Sequence, residues 1–298
     1  MRVALFGQAA FGADVFKALK NEKVDIVGVS TPREQGKSDP LRDAARNNEI
    51  PIIATPDLKK NTFFEEYLSW QADLLVFAFV TDIVRKNVLD AAQYGAIQYH
   101  PSLLPLYRGR SAMNWPIING AKKTGISIFW VDEGIDTGPI LLQREVDISL
   151  EESMGSLYFN KLYPMGVESL VESVKMIQQG SAPRIEQNHD DASYEPPCGP
   201  EHSEIDFMKP GWLIYNLVRG CDPQPGASAQ LEDIPIRLFG ASYYRSTKVD
   251  QPGTVLEVDN EGARIACIGG ILNIQRIQKI GESKIDAAEL LKPGQQLR

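Results

Sequence analysis

The sequence predicts an α/β chain, with an open, mostly parallel sheet in its first part and a small β-barrel in its last. Three observations predict it. Strand-length apolar runs alternate with helical periodicity from residue 2 to His100. Among them "ADLLVFAFV" is apolar throughout, as a strand buried on both faces must be. After residue 203, short alternating runs follow one another at glycine turns, the pattern of a small barrel.

The elements follow in order. "RVALFG" is a strand, and "ADVFKALKN" places Val15, Phe16 and Leu19 at helical spacing. "VDIVGVST" is the second strand, "DPLRDAARNNEI" a helix, "PIIAT" a strand, "NTFFEEYLSWQ" a helix and "ADLLVFAFV" a strand. This β-α-β alternation implies right-handed crossovers. "VRKNVLDAAQ" predicts a helix, "GAIQYH" a strand ending at His100, and "SAMNWPIINGA" a helix in which Pro116 requires an early position or a kink. "TGISIFWVD" and "PILLQREVDI" predict strands around the turn "EGIDTG". One long helix is expected over "SMGSLYFNKLYPMGVESLVESVKMIQQG", stopped by its glycine. The proline-rich, polar stretch 181–203 marks a linker. "KPGWLIYNLVRG" is a short helix, and "IPIRLFGASYY", "GTVLEVD", "ARIACIG" and "ILNIQRIQKI" are the strands of the barrel. The expected domains are therefore 1–180 and 204–298, joined by 181–203, a division suited to a chain of 298 residues.

Composition narrows the function classes. Hydrophobic residues make up 43% and charged residues 23%, and no apolar run approaches the roughly 20 residues of a membrane span. Gly7, Gln8 and Gly12 interrupt the first apolar run, which argues for a strand and turn over a signal peptide. Three dispersed cysteines, Cys198, Cys221 and Cys267, argue against a disulfide framework and against a zinc site, so no metal is expected and a reducing cytoplasm fits. A net charge of −8 disfavours nucleic acid as a partner. The "YRGR" turn and "RNNEIPIIATPDLKK" are local basic patches, each more simply read as solvated surface.

Two residues stand out for chemistry. His100 falls at the carboxyl end of an interior strand, where open α/β sheets bind ligands. Asp136, in "VDEGIDTGP", occupies a glycine-flanked turn in which backbone amides can hold a carboxylate facing a cleft, although Asp and Gly also form plain turns. "GQAAFG" could cradle a phosphate at a helix N-terminus, but it lacks both the three-glycine dinucleotide spacing and the Lys-Ser/Thr of a phosphate loop, so a ligand-free turn is the simpler reading.

Together "HPSLLP", "YRGRSAMNW", "TGISIFWVDEGIDTGPILL" and "RGCDPQPGA" resemble the signature of the folate-dependent formyltransferase and hydrolase family. "FGQAAFGADVF", "GKSDPL" and the tyrosine of "YHPSLLP" resemble its 10-formyltetrahydrofolate hydrolase branch. "PGTVLEVD" resembles the C-terminal barrel of its tRNA-acting branch. The resemblance covers essentially the whole chain and implies the formyltransferase fold: a Rossmann-like sheet followed by an OB-like barrel.

The resemblance also implies roles. The family acts through an Asn-His-Asp triad, with Asn two positions before His. His100 and Asp136 match, and Gln98 stands at the Asn position, where hydrolase-branch relatives carry an apolar residue. Ser102, Leu103, Leu104 and Pro105 match the segment lining the folate site, and Asp82, Ile83 and Val84 the pterin-binding loop. The implied substrate is 10-formyltetrahydrofolate, hydrolysed to tetrahydrofolate and formate; the alternative is formyl transfer to an amine acceptor on a sugar nucleotide, a small metabolite or methionyl-tRNA. The short "TPREQGKSDP" loop and the acidic charge argue against tRNA. The resemblance includes neither a carrier domain nor an aldehyde dehydrogenase domain, so no NADP is expected.

Overall fold

Strand β1 (Arg2–Gly7) is buried from Val3 onward and lies between two parallel neighbours. The computed structural model describes residues 1–34, 36–247 and 250–298; Gln35, inside the "TPREQGKSDP" loop, lies outside the described residues. After β1 come α1 (Ala9–Asn21), β2 (Asp25–Thr31), α2 (Pro40–Arg46), β3 (Ile52–Ala54), α3 (Asn61–Ser69), β4 (Leu74–Ala78), α4 (Lys86–Leu89), β5 (Ala96–His100), α5 (Asn114–Ile118), β6 (Lys123–Trp130) and β7 (Ile140–Asp147). They form a seven-stranded sheet in the order β3-β2-β1-β4-β5-β6-β7. Strands β1 to β5 are parallel, and β6 runs antiparallel to β5. The α/β, mostly parallel sheet is the expected one. Its strand order reverses between β1 and β4, which opens a crevice at their carboxyl ends.

Both faces of this sheet are apolar because every strand of the parallel core is covered. On one side Phe6, Tyr67, Trp70, Leu75 and Phe77 form one cluster, with Phe6 and Phe77 rings 5.0 Å apart. α1 buries Phe11, Val15, Phe16 and Leu19. A Cβ at Gly28 would collide with the Trp70 indole, so glycine lets α3 and the residue that ends it approach β2.

The single long helix expected after β7 is instead α6 (Met154–Leu157), a π-helical turn over Tyr158–Leu162, and α7 (Tyr163–Gln178). Pro164 has no N–H to donate to the carbonyl four residues earlier, and the chain widens where that bond is lost. α4 and α5 are also shorter than the periodicity suggests.

The chain divides into two compact units. One comprises residues 1–108, 125–145 and 161–194, and the other 109–124, 146–160 and 195–298. Residues 181–203, expected as a linker, contribute to both. The second unit contains α8 (Gly211–Gly220), β8 (Ala227–Leu231), β9 (Ile234–Arg245), β10 (Val255–Asp259), β11 (Gly262–Cys267), β12 (Gly270–Lys279), β13 (Ile285–Asp286) and α9 (Ala287–Leu290). Its antiparallel sheet has the order β10-β11-β12-β9-β8, with β13 beside β12. The C-terminal tail bonds both sheet ends: Gln230 N–H donates to Arg298 O at 2.6 Å and Leu297 N–H to Gly253 O at 2.9 Å. The sheet closes on itself through the tail, around a core that includes Ile236, Leu238, Ile265, Leu272 and Ile274.

Candidate active site

β5 ends in Gln98, Tyr99 and His100, and the two-residue strand period puts Gln98 and His100 on one face with Tyr99 on the other. Tyr99 anchors the strand from behind: its ring lies 4.6 Å from that of Phe11, against Gly166 of α7, where a Cβ would strike it.

His100 is buried, at 4% exposure. Its Nε2 lies 2.9 Å from Tyr107 O. A carbonyl only accepts, so Nε2 carries a proton and Nδ1 is the ring nitrogen left for chemistry. Nδ1 lies 3.6 Å from Asp136 Oδ2, and the other carboxylate oxygen faces Gln98 Nε2 at 3.4 Å. Both distances exceed those of strong hydrogen bonds. The Asp136 carboxylate thus stands between the His100 ring and the Gln98 amide.

Asp136 is 8% exposed and adopts φ +55° in the turn between β6 and β7. Asp132 Oδ1 shapes the turn by accepting from Gly134 N–H at 3.0 Å and Thr137 Oγ1 at 2.6 Å. Gly138 is required there, because a Cβ would overlap Trp130 O.

The turn after His100 is tied to the neighbouring strands. Ser102 Oγ donates to Leu106 O at 2.6 Å, and Ser127 Oγ donates to Ser102 O at 2.7 Å. Gln143 Nε2 donates to Leu104 O at 2.7 Å, Leu104 packs with Phe129 and Ile140, and the Leu104–Pro105 peptide is cis. The Leu103 side chain lies against Gly125. Tyr107, at φ +56°, turns its carbonyl to His100.

The structure thus brings Gln98, His100 and Asp136 together, beside the turn carrying Ser102, Leu103, Leu104 and Pro105. Asp82, Ile83 and Val84 line a different cavity of about 250 Å³ with Thr55, Pro56 and Lys59, and Ile83 is almost fully exposed. Asp82 also borders a cavity of about 470 Å³ with Gln8, Arg33 and Asp39. There, Asp39 Oδ2 accepts the Ala9 N–H at 2.7 Å and Asp39 Oδ1 accepts from Leu41 N–H at 2.9 Å. One amide of the "GQAAFG" turn, that of Ala9, is thus held by the chain's own carboxylate.

Sequence reasoning missed the support of this site. The "YRGR" turn, read as solvated surface, contains Arg108, which is 2% exposed and bonds Gln187, His189 and Tyr194. Its position inside "YRGRSAMNW" was the available signal. Among the described residues, no group of three or more His, Cys, Asp or Glu is placed to hold a metal ion, and no helix is long and apolar enough to cross a membrane.

Comparison with known proteins agrees with this fold. The formyl transferase family model matches residues 1–174, and the formyl transferase C-terminal domain model matches residues 198–294. The chain is 41% identical over 253 residues to the mitochondrial 10-formyltetrahydrofolate dehydrogenase of Mus musculus, covering 83% of this chain but only 27% of that protein. It thus spans about a quarter of the length of such relatives. It is 31% identical over 299 residues to the methionyl-tRNA formyltransferase of Clostridioides difficile (strain 630), covering 98% of this chain and 96% of that one. In fold it is similar to HypX from Aquifex aeolicus in complex with tetrahydrofolic acid, with TM-score 0.73 and 20% identity over 98% of this chain and 47% of that one. An N-formyltransferase from Helicobacter canadensis, in complex with folinic acid and dTDP-3-aminofucose, has TM-score 0.71 and 19% identity over 95% of this chain and 99% of that one. With both of its family models matched in order along the sequence, the chain belongs to the formyl transferase family of enzymes.

Proposed function

We propose that the chain hydrolyses 10-formyltetrahydrofolate to tetrahydrofolate and formate. The observation that carries this reading is the convergence of His100 Nδ1, the Asp136 carboxylate and the Gln98 amide on one buried point at the end of β5. The resemblance of "FGQAAFGADVF" and "GKSDPL" to the family's hydrolase branch supports hydrolysis over other family reactions, and the similarity to a 10-formyltetrahydrofolate dehydrogenase supports the folate substrate.

Water attacks the formyl carbon, a C–O bond forms, and the carbonyl becomes a tetrahedral oxyanion. His100 acts in its charged form, in which both ring nitrogens carry protons: Nε2 donates to Tyr107 O and Nδ1 donates to the oxyanion. Asp136 orients the imidazole, holds the water and accepts its proton. The C–N10 bond then breaks, and the proton passes to the leaving folate nitrogen. Formate and tetrahydrofolate depart. Ser102 to Pro105 hold the folate beside His100, and the loop Asp82 to Val84 receives its pterin end.

The second reading is formyl transfer to an amine. Gln98 favours it, because its polar amide stands where the family's formyl-transferring members carry Asn, and the match to a methionyl-tRNA formyltransferase runs nearly end to end. Incubating the purified protein with 10-formyltetrahydrofolate alone, then with candidate amines, separates the two. The hydrolase releases formate and tetrahydrofolate without an amine. Formylation of an added amine, with no formate release in its absence, overturns that reading.

A further inference from the structure

Asp136 needs its main chain held, because φ +55° is a conformation that a residue with a Cβ adopts at a cost. The Asp132 side chain holds the turn from within, at Gly134 and at the Thr137 hydroxyl. The second half meets a residue from a distant segment. Gln187 is 6% exposed, and its Nε2 donates to Asp136 O at 2.9 Å and to Gly138 O at 2.7 Å. Its Oε1 accepts from Arg108 Nε at 3.2 Å and Nη2 at 2.6 Å. The neighbours fix the amide's orientation: a flipped carboxamide would set oxygen against two carbonyls and NH2 against a guanidinium.

Arg108 is itself tightly committed. Its side-chain partners are Gln187 Oε1, the Tyr194 hydroxyl at 2.7 Å and His189 Nδ1 at 3.1 Å, and none of these is a carboxylate. A buried cation that loses one of them keeps an unsatisfied donor in low dielectric. The residue before it, Tyr107, supplies the carbonyl that holds His100 Nε2. A closed circuit results: His100 to Tyr107, along the chain to Arg108, across to Gln187, to the Asp136 main chain, and back through the carboxylate to His100.

We propose that Gln187 is a positioning residue for Asp136: its carboxamide, oriented by buried Arg108, fixes the 136–138 turn and thereby the distance between the Asp136 carboxylate and the His100 ring. This rests on reading Asp136 and His100 as the reacting pair. Through the circuit, the segment around Gln187 reports on the geometry of the site without touching substrate.

The test is Gln187→Glu, which keeps the acceptor for Arg108, removes both donors and sets a carboxylate oxygen against two carbonyls. Gln187→Asn, too short to span both carbonyls, is the second variant. Each is compared with wild type in melting temperature, in kcat and KM for 10-formyltetrahydrofolate, and in the ring ¹⁵N signals of the three histidines. A folded variant is expected to lose roughly 10- to 100-fold in kcat, the scale of a small misplacement of reacting groups, with KM changed less than about threefold and the His100 ring signals shifted. A folded variant with wild-type kcat and unshifted His100 signals overturns the proposal. So does failure of both variants to fold, which makes Gln187 a folding residue. A wild type inactive toward 10-formyltetrahydrofolate and every added amine defeats the functional reading instead, and the histidine signals still test the circuit.

Discussion

Gln98 Nε2 reaches Asp136 Oδ1 at 3.4 Å across 38 positions of sequence. A contact that long is worth about 0.5–1.5 kcal/mol at most, whereas loss of an oxyanion donor costs roughly 3 kcal/mol. These magnitudes separate the roles of Gln98. Under hydrolysis, wild type releases formate without an amine, and Gln98→Leu slows release by no more than about tenfold, with Gln98→Asn between them. A loss beyond a hundredfold in Gln98→Leu would place the amide on the oxyanion.

His100→Ala and Asp136→Ala are each expected to lower kcat by at least about a hundredfold, since each removes a group that acts mainly in the transition state. The effects should be far from additive in the double variant, because the pair acts as one unit. Steady-state kinetics on variants with wild-type melting temperatures decide it; near-normal turnover in either removes that residue from the mechanism.

His100 and Asp136 were legible because each carries a local signal, a strand end and a glycine-flanked turn. The parallel sheet was legible because its apolar runs have strand length. Gln187 was not: its meaning lies in bonds to Asp136, 51 positions away, and to Arg108, 79 away, and nothing in a polar, proline-rich stretch distinguishes a buried amide from a solvated one. Arg108 was misread for the same reason, since local sequence reports charge and not burial. The break before α7 was readable from Pro164, but the apolar period on either side outweighed it.

Asp14 links α1 to α7 and gives stability a pH dependence. Tyr163 donates to its Oδ2 at 2.7 Å, and this bond, aided by Lys17 and opposed by partial burial, holds the Asp14 carboxyl below its ordinary range. A depressed folded-state value means that the stabilisation is complete above the unfolded value near 3.8 and disappears as pH falls through the folded value. Tyr163→Phe should therefore destabilise at pH 7, by under about 1 kcal/mol for so exposed a carboxylate, and the Asp14 contribution to that difference should shrink as pH falls below 3.8. Denaturant unfolding at pH 7 and at a series of pH values below 3.8 measures it; a Tyr163→Phe deficit that does not shrink as the pH falls assigns the effect to packing.

The three thiols should differ sharply in reactivity. Cys198 Sγ lies 3.9 Å from Cys221 Sγ, a proximity that their spacing in sequence does not suggest. The contact with the Cys221 thiol lowers the Cys198 pKa against partial burial. Cys221 is raised first by that same contact and then by burial, and burial pushes Cys267 up to about 12. Cys221 and Cys267 are also fully buried, while Cys198 is partly open. Because the thiolate is the nucleophile, iodoacetamide at pH 8 should modify Cys198 well before either of the others, read by mass spectrometry of the digested protein. Cys221→Ala removes the contact and should slow labelling of Cys198 at that pH, whereas Cys221→Ser keeps a donor and should slow it less. Unchanged labelling of Cys198 in both replacements would show that exposure alone, and not the neighbouring thiol, sets the order.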